Sequence, residues 1–168
     1  MAIEKRSRYY QKEDFDRIYK EKYPVLVKYI YFHIQDAVEA QDIAQDIFLS
    51  FFRKMTTMEY RMSDIQLWLY LCAYRKINSY LREKYKNRYY SSDVSLETVA
   101  EESESQFRLT EVAPILTRDE MHYIYLSYYC GFKNREMKTI MGYSASTLKR
   151  IKKKALKKIE NYLNSVKK

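Results

Sequence analysis

Nine cations and one acid occupy residues 144–168: Lys149, Arg150, Lys152, Lys153, Lys154, Lys157, Lys158, Lys167 and Lys168 stand against Glu160, in a chain whose whole formal net charge is only +9. Ammonium and guanidinium groups at this density suit phosphate neutralisation. In the same segment Leu148, Ile151, Ala155, Ile159 and Tyr162 recur at spacings of three and four, which predicts a helix with one core face and one cationic face. Ser146, Lys149, Arg150 and Lys153 share the cationic side, with Ser146 and Lys149 nearest its start, where a recognition helix reaches base edges. Arg150 is the candidate for a bidentate guanine contact, at roughly 1–3 kcal/mol of discrimination. Lys152, Lys154 and Lys157, with Lys133 and Arg135 upstream, are candidates for phosphates. With Lys153 counted among them, about six such contacts would give log K against log salt a slope of about −5.

The residues just before this helix set its geometry. Residues 133–141 read as a short helix, Gly142 and Tyr143 as a turn, and Ser144 as the cap of the basic helix, which is helix-turn-helix grammar. Met137 and Ile140 supply the contact between the two helices, while Lys138, at a position where such motifs often carry a small residue, predicts looser packing. A lysine-rich helix that only solubilises the chain is the bland alternative.

With 168 residues the chain suits two small helical units. Two glycines (Gly131, Gly142) and two prolines (Pro24, Pro114) leave little material for hairpins, phosphate loops or tight α/β connections, so the fold class is all-α. The 19 tyrosines read mostly as core-edge residues. Cys72 and Cys130 lack a second cysteine or histidine at ligand spacing and read as small buried hydrophobes; no metal or cofactor is expected. Neither His33 nor His122 lies in a nucleophile pattern, so no enzyme is expected. No apolar run is long enough for a membrane span and residues 1–8 are charged, so no membrane insertion and a cytoplasmic location are expected.

Residues 91–105 hold Asp93, Glu97, Glu101, Glu102 and Glu104 among five serines, a composition that buries too little apolar surface to order itself. The predicted organisation is an N-terminal helical domain over 1–90, an acidic flexible linker over 91–110, and a helix-turn-helix domain over 111–168. The linker reads either as a solvated tether or as an acidic strand mimicking nucleic acid. In the first domain helices are expected over 13–33, kinked or divided at Pro24; over 38–55, with Ile43, Ile47, Phe48, Phe51 and Phe52 as one stripe; and over 64–86, capped by Ser63 or Asp64.

The run Ala40-Gln41-Asp42-Ile43-Ala44-Gln45-Asp46-Ile47-Phe48, then Trp68-Leu69-Tyr70 with Tyr80-Leu81-Arg82, then Leu116-Thr117 through Gly131-Phe132 and the helix-turn-helix, resembles in order and spacing the extracytoplasmic-function (ECF) group of bacterial sigma factors. Departures from the family pattern include Tyr74-Arg75, Ser79 and Thr117; Thr117-Arg118-Asp119-Glu120 still makes a capping box. The resemblance implies a promoter-reading subunit of RNA polymerase. Asp42, Gln45, Asp46 and Phe48 would dock on core RNA polymerase, with core burial of Phe48 as the alternative. Thr56, Thr57, Tyr60 and Arg61, in the loop over 55–63, would capture a flipped base of the -10 element, or merely connect two helices. The basic helix would read -35 duplex promoter DNA. Trp68 reads as an unstacking wedge or as core. An anti-sigma protein is a further expected partner. The competing readings are a stand-alone helix-turn-helix regulator on a palindromic site, and a protein-interaction module with a merely electrostatic tail.

Overall fold

The computed structural model describes residues 12–55, 62–87 and 109–166; the loop residues Thr56, Thr57, Tyr60 and Arg61 and nearly all of the acidic linker lie outside them. Every regular element among the described residues is helical. The chain divides into two compact units, Met1–Lys84 and Tyr85–Lys168.

The first unit is built from three long helices: α1 (Lys12–Ile34), α2 (Ala37–Met55) and α3 (Met62–Asn87). Pro24 does not divide α1, contrary to one branch of the sequence expectation. Lys20 and Pro24 are both exposed, so the carbonyl that the proline ring leaves unpaired lies on the water side, where hydration replaces the missing bond. The helix ends at Gln35, which takes a left-handed φ of 55°. Its amide donates to the Tyr31 carbonyl at 2.8 Å and its side-chain amide to the Phe32 carbonyl at 2.8 Å. Asp36 then caps α2 by accepting the Glu39 amide at 3.0 Å. Helix α3 begins at Met62, so Ser63 and Asp64 sit inside its first turn rather than at the cap.

The interior of this unit joins Ile18, Leu26 and Ile30 of α1 with Ile43, Ile47 and Phe51 of α2 and Ile65, Leu69 and Ile77 of α3, all buried. Aromatic rings add directional contacts, such as Tyr29 against Tyr70 at 5.0 Å between centroids. Trp68 is half-buried, 6.0 Å from the Phe51 ring and covered by the Lys54 ammonium at 5.3 Å, a packing role in keeping with its core reading. Cys72 and Cys130 are free and half-buried, more open than expected.

The second unit has short elements and one long rod. Helix α4 (Leu109–Val112) opens it, so Leu109 and Thr110, which the sequence reading placed in the linker, are helical, and Leu109 is buried. A 3₁₀ turn (Ala113–Ile115) leads to α5 (Arg118–Ile124), which widens into a π turn (Tyr125–Tyr129) closed by the Cys130 amide on the Tyr125 carbonyl at 3.1 Å. Helices α6 (Asn134–Met141) and α7 (Ala145–Val166) follow.

Candidate nucleic-acid interface

Local signals position the α6–α7 pair. The Glu136 carboxylate accepts the Lys133 amide at 2.8 Å and starts α6. Gly142 ends it with φ 72° and ψ 15°, its amide donating to the Lys138 carbonyl at 3.0 Å. Ser144 caps α7 by accepting the Thr147 amide at 3.2 Å, and its hydroxyl also lies 3.0 Å from that of Ser146 and 2.9 Å from that of Thr147. Met137, Ile140, Leu148 and Ala155 are buried, which settles which side of each helix faces inward. Lys138 is exposed and so stays out of the α6–α7 contact, against the looser packing expected from it.

The opposite side of α7 carries the predicted cations. Ser146, Lys149, Arg150, Lys153, Lys154 and Lys157 are exposed and Lys152 is half-buried; Lys133 and Arg135 are exposed at the start of α6. Among the described residues no carboxylate forms an ion pair with Lys149, Arg150 or Lys153. Whichever hydroxyl donates in its contact with Ser144, Ser146 keeps at least one lone pair for further bonding.

One α7 cation behaves otherwise. Lys158 Nζ donates to Glu120 Oε2 at 2.6 Å, and the Glu120 side chain is only 5% exposed. Glu120 is the third residue of α5 and completes the capping box foreseen in the sequence: Thr117 Oγ1 accepts the Glu120 amide at 3.4 Å and Glu120 Oε2 accepts the Thr117 amide at 2.8 Å. Burial by itself would raise the Glu120 carboxyl, but the bonds from Lys158 and Thr117 and the ammonium charge outweigh it, so the group sits below its ordinary value. The Lys158 contact spans 38 residues and left no local pattern in the sequence.

In the first unit the structure corrects the polymerase-facing set. Phe48 is 1% exposed, its ring 5.1 Å from Tyr19 and 5.8 Å from Tyr23, so it is core and offers no docking surface. Asp42, Gln45 and Asp46 are exposed on α2. The apolar groups beside them are Leu49, 50% exposed, and Phe52, 39% exposed; of these only Phe52 belongs to the stripe read from the sequence. Asp46 is held by Lys76 of α3 at 2.8 Å.

Residues 18–87 match the family model described as Sigma-70 region 2. No curated protein matches the chain. Among solved structures, a chain of the co-crystal structure of the sigma factor RpoE in complex with the anti-sigma factor NepR from Bartonella quintana is similar at 20% identity, with 90% of this chain and 98% of that chain covered and a TM-score of 0.74. That likeness concerns the fold. A chain of the RsbN–BldN complex is 17% identical over 90% of this chain and 93% of that one, with a TM-score of 0.37, too distant to carry an argument. Among the described residues no helix is long and apolar enough to cross a membrane. Residues 18–87 thus carry the Sigma-70 region 2 match, and the chain is similar in fold to a sigma factor along most of its length.

Proposed function

We propose that the chain directs core RNA polymerase to promoters, with the second unit (111–168 by the sequence division) reading -35 duplex DNA and the first (1–90) docking on the polymerase and helping to open the -10 region. The observation that carries this reading is the outward cationic side of α7, whose Lys149, Arg150 and Lys153 form no ion pair among the described residues, set behind the α6–Gly142 turn. Ser146, Lys149, Arg150 and Lys153 then face base edges, and Lys133, Arg135, Lys152, Lys154 and Lys157 hold phosphates. On α2, Asp42 and Gln45 offer a carboxylate and an amide to cationic groups of the polymerase, while Leu49 and Phe52 supply apolar area in place of Phe48. Thr56, Thr57, Tyr60 and Arg61 would take a splayed -10 base, as the family resemblance implies. The nucleotidyl-transfer chemistry belongs to the polymerase, and work on its template places the chain in the cytoplasm.

RpoE is seen with an anti-sigma factor. A comparable inhibitor of this chain would act by covering the α2 face or the α7 face. The test is retention of purified core polymerase by the tagged chain, followed by run-off transcription from a promoter library. Retention with initiation at discrete sites is expected. Binding to a palindromic duplex with no affinity for polymerase would replace this reading with a stand-alone regulator, and equal, salt-sensitive binding to any polyanion would replace it with an interaction module.

A further inference from the structure

Two consecutive carboxylates in the first turn of α5 reach the basic helix and the turn that precedes it. Asp119 Oδ2 accepts the Tyr143 hydroxyl at 2.8 Å, immediately before the Ser144 cap. Glu120 Oε2 accepts Lys158 Nζ at 2.6 Å while the same oxygen accepts the Thr117 amide at 2.8 Å. At 1.5 Å of rise per residue the backbone of Lys158 lies about 20 Å along α7 from its first residue, Ala145, so two long side chains reach back to neighbouring carboxylates from the turn before the rod and from far along it. Between them Leu148 and Ala155 are fully buried. Side-chain packing favours a range of crossing angles, and hydrogen bonds from the preceding turn and from Lys158 narrow roll and tilt further.

We infer, on the basis of the duplex reading proposed above, that Asp119 and Glu120 are positioning residues for DNA recognition, bracing α7 through Tyr143 and Lys158 so that Lys149 and Arg150 meet base edges in register. Lys158 is thereby withdrawn from the DNA. The neighbours Lys157 and Lys158 have opposite duties: one faces phosphate, the other holds the helix to its own protein.

The test uses the full chain, a short duplex that it selects from a randomised pool, and an unrelated duplex of equal length. Glu120→Gln keeps the cap, because the amide oxygen still accepts from Thr117, and removes only the ionic partner. Lys158→Met removes the same pair from the other side, and Tyr143→Phe releases the second anchor. Each is expected to lower the preference for the selected duplex by about fivefold or more, with helix content unchanged, and Lys158→Arg to restore it. On the unrelated duplex, Lys157→Met should reduce the salt slope by about 0.9 and Lys158→Met should leave it unchanged. An equal fall for both lysines, or an undiminished preference in all three variants, overturns the brace. A wild-type chain that shows no preference among duplexes overturns the proposed function instead. In that event the brace is still decided by the orientation of α7 against α5, read from residual dipolar couplings without DNA: a shift in Glu120→Gln and Tyr143→Phe supports it, and an unmoved α7 overturns it.

Discussion

The first unit is organised by large side chains that meet in its interior, while the second is organised by caps, two left-handed glycines and hydrogen bonds between helices. In the first, helices of 23, 19 and 26 residues bury Tyr29, Phe48, Phe51 and a set of isoleucines and leucines, and its ion pairs lie on the surface. In the second, α5 and α6 are 7 and 8 residues long, too short to be stable on their own helical propensity. They depend on the Thr117 box, Gly131, the Lys133–Glu136 bond and Gly142 for their ends. The contrast suits the two proposed tasks. A docking unit needs a stiff platform with a broad outer face, whereas a reading unit needs one rod held at a defined angle, which directional polar bonds sharpen beyond what side-chain packing sets.

This contrast can be broken first at the platform. Phe48→Ala should destabilise the first unit by about 3–5 kcal/mol in denaturant unfolding, because it empties a site lined by Phe15, Tyr19, Tyr23 and Phe51. A variant of unchanged stability would return Phe48 to the docking surface. Next in size is the turn. A Cβ at Gly142 would meet nothing within 4 Å, so Gly142→Ala should lose about 1–2 kcal/mol through its φ of 72° alone, measured by thermal unfolding of the second unit.

The third effect is a pH dependence. The folded-state value of Glu120 is lowered, so its contribution is fully present above the ordinary carboxylate range and is lost as pH falls through the lowered value. Wild type should therefore exceed Glu120→Gln in denaturant midpoint near neutrality, and the gap should close on acidification; a gap that widens in acid would contradict the assignment. The smallest effect belongs to the exposed Lys76–Asp46 pair, where Lys76→Ala should change stability by about 0–1 kcal/mol, the change shrinking further in high salt.

What could be read from the sequence follows the same division. Thr117, Gly142 and Ser144 act on residues three or four positions away, and their roles were visible before any coordinates. The aromatic run of α2 was harder. Neighbouring residues on a helix sit about 100° apart, and with Phe48, Leu49, Phe51 and Phe52 all apolar the pattern does not say which pair faces out. Leu49 and Phe52 therefore carry no sequence mark as surface groups, and of the two readings of Phe48, docking and core, the structure favours core. Pro24 reads as a kink or a division, and only the division fails, because local rules ignore which side of the helix meets water. The Lys158–Glu120 bond was illegible for a different reason: within a run of lysines nothing local marks the one that tertiary packing turns inward.

The division of labour is tested most directly by measuring, in one experiment, polymerase retention and duplex affinity for Asp42→Arg and Arg150→Ala. Loss of polymerase binding with intact duplex binding in the first variant, and the reverse in the second, is the predicted result. Both activities falling together in either variant would contradict the account.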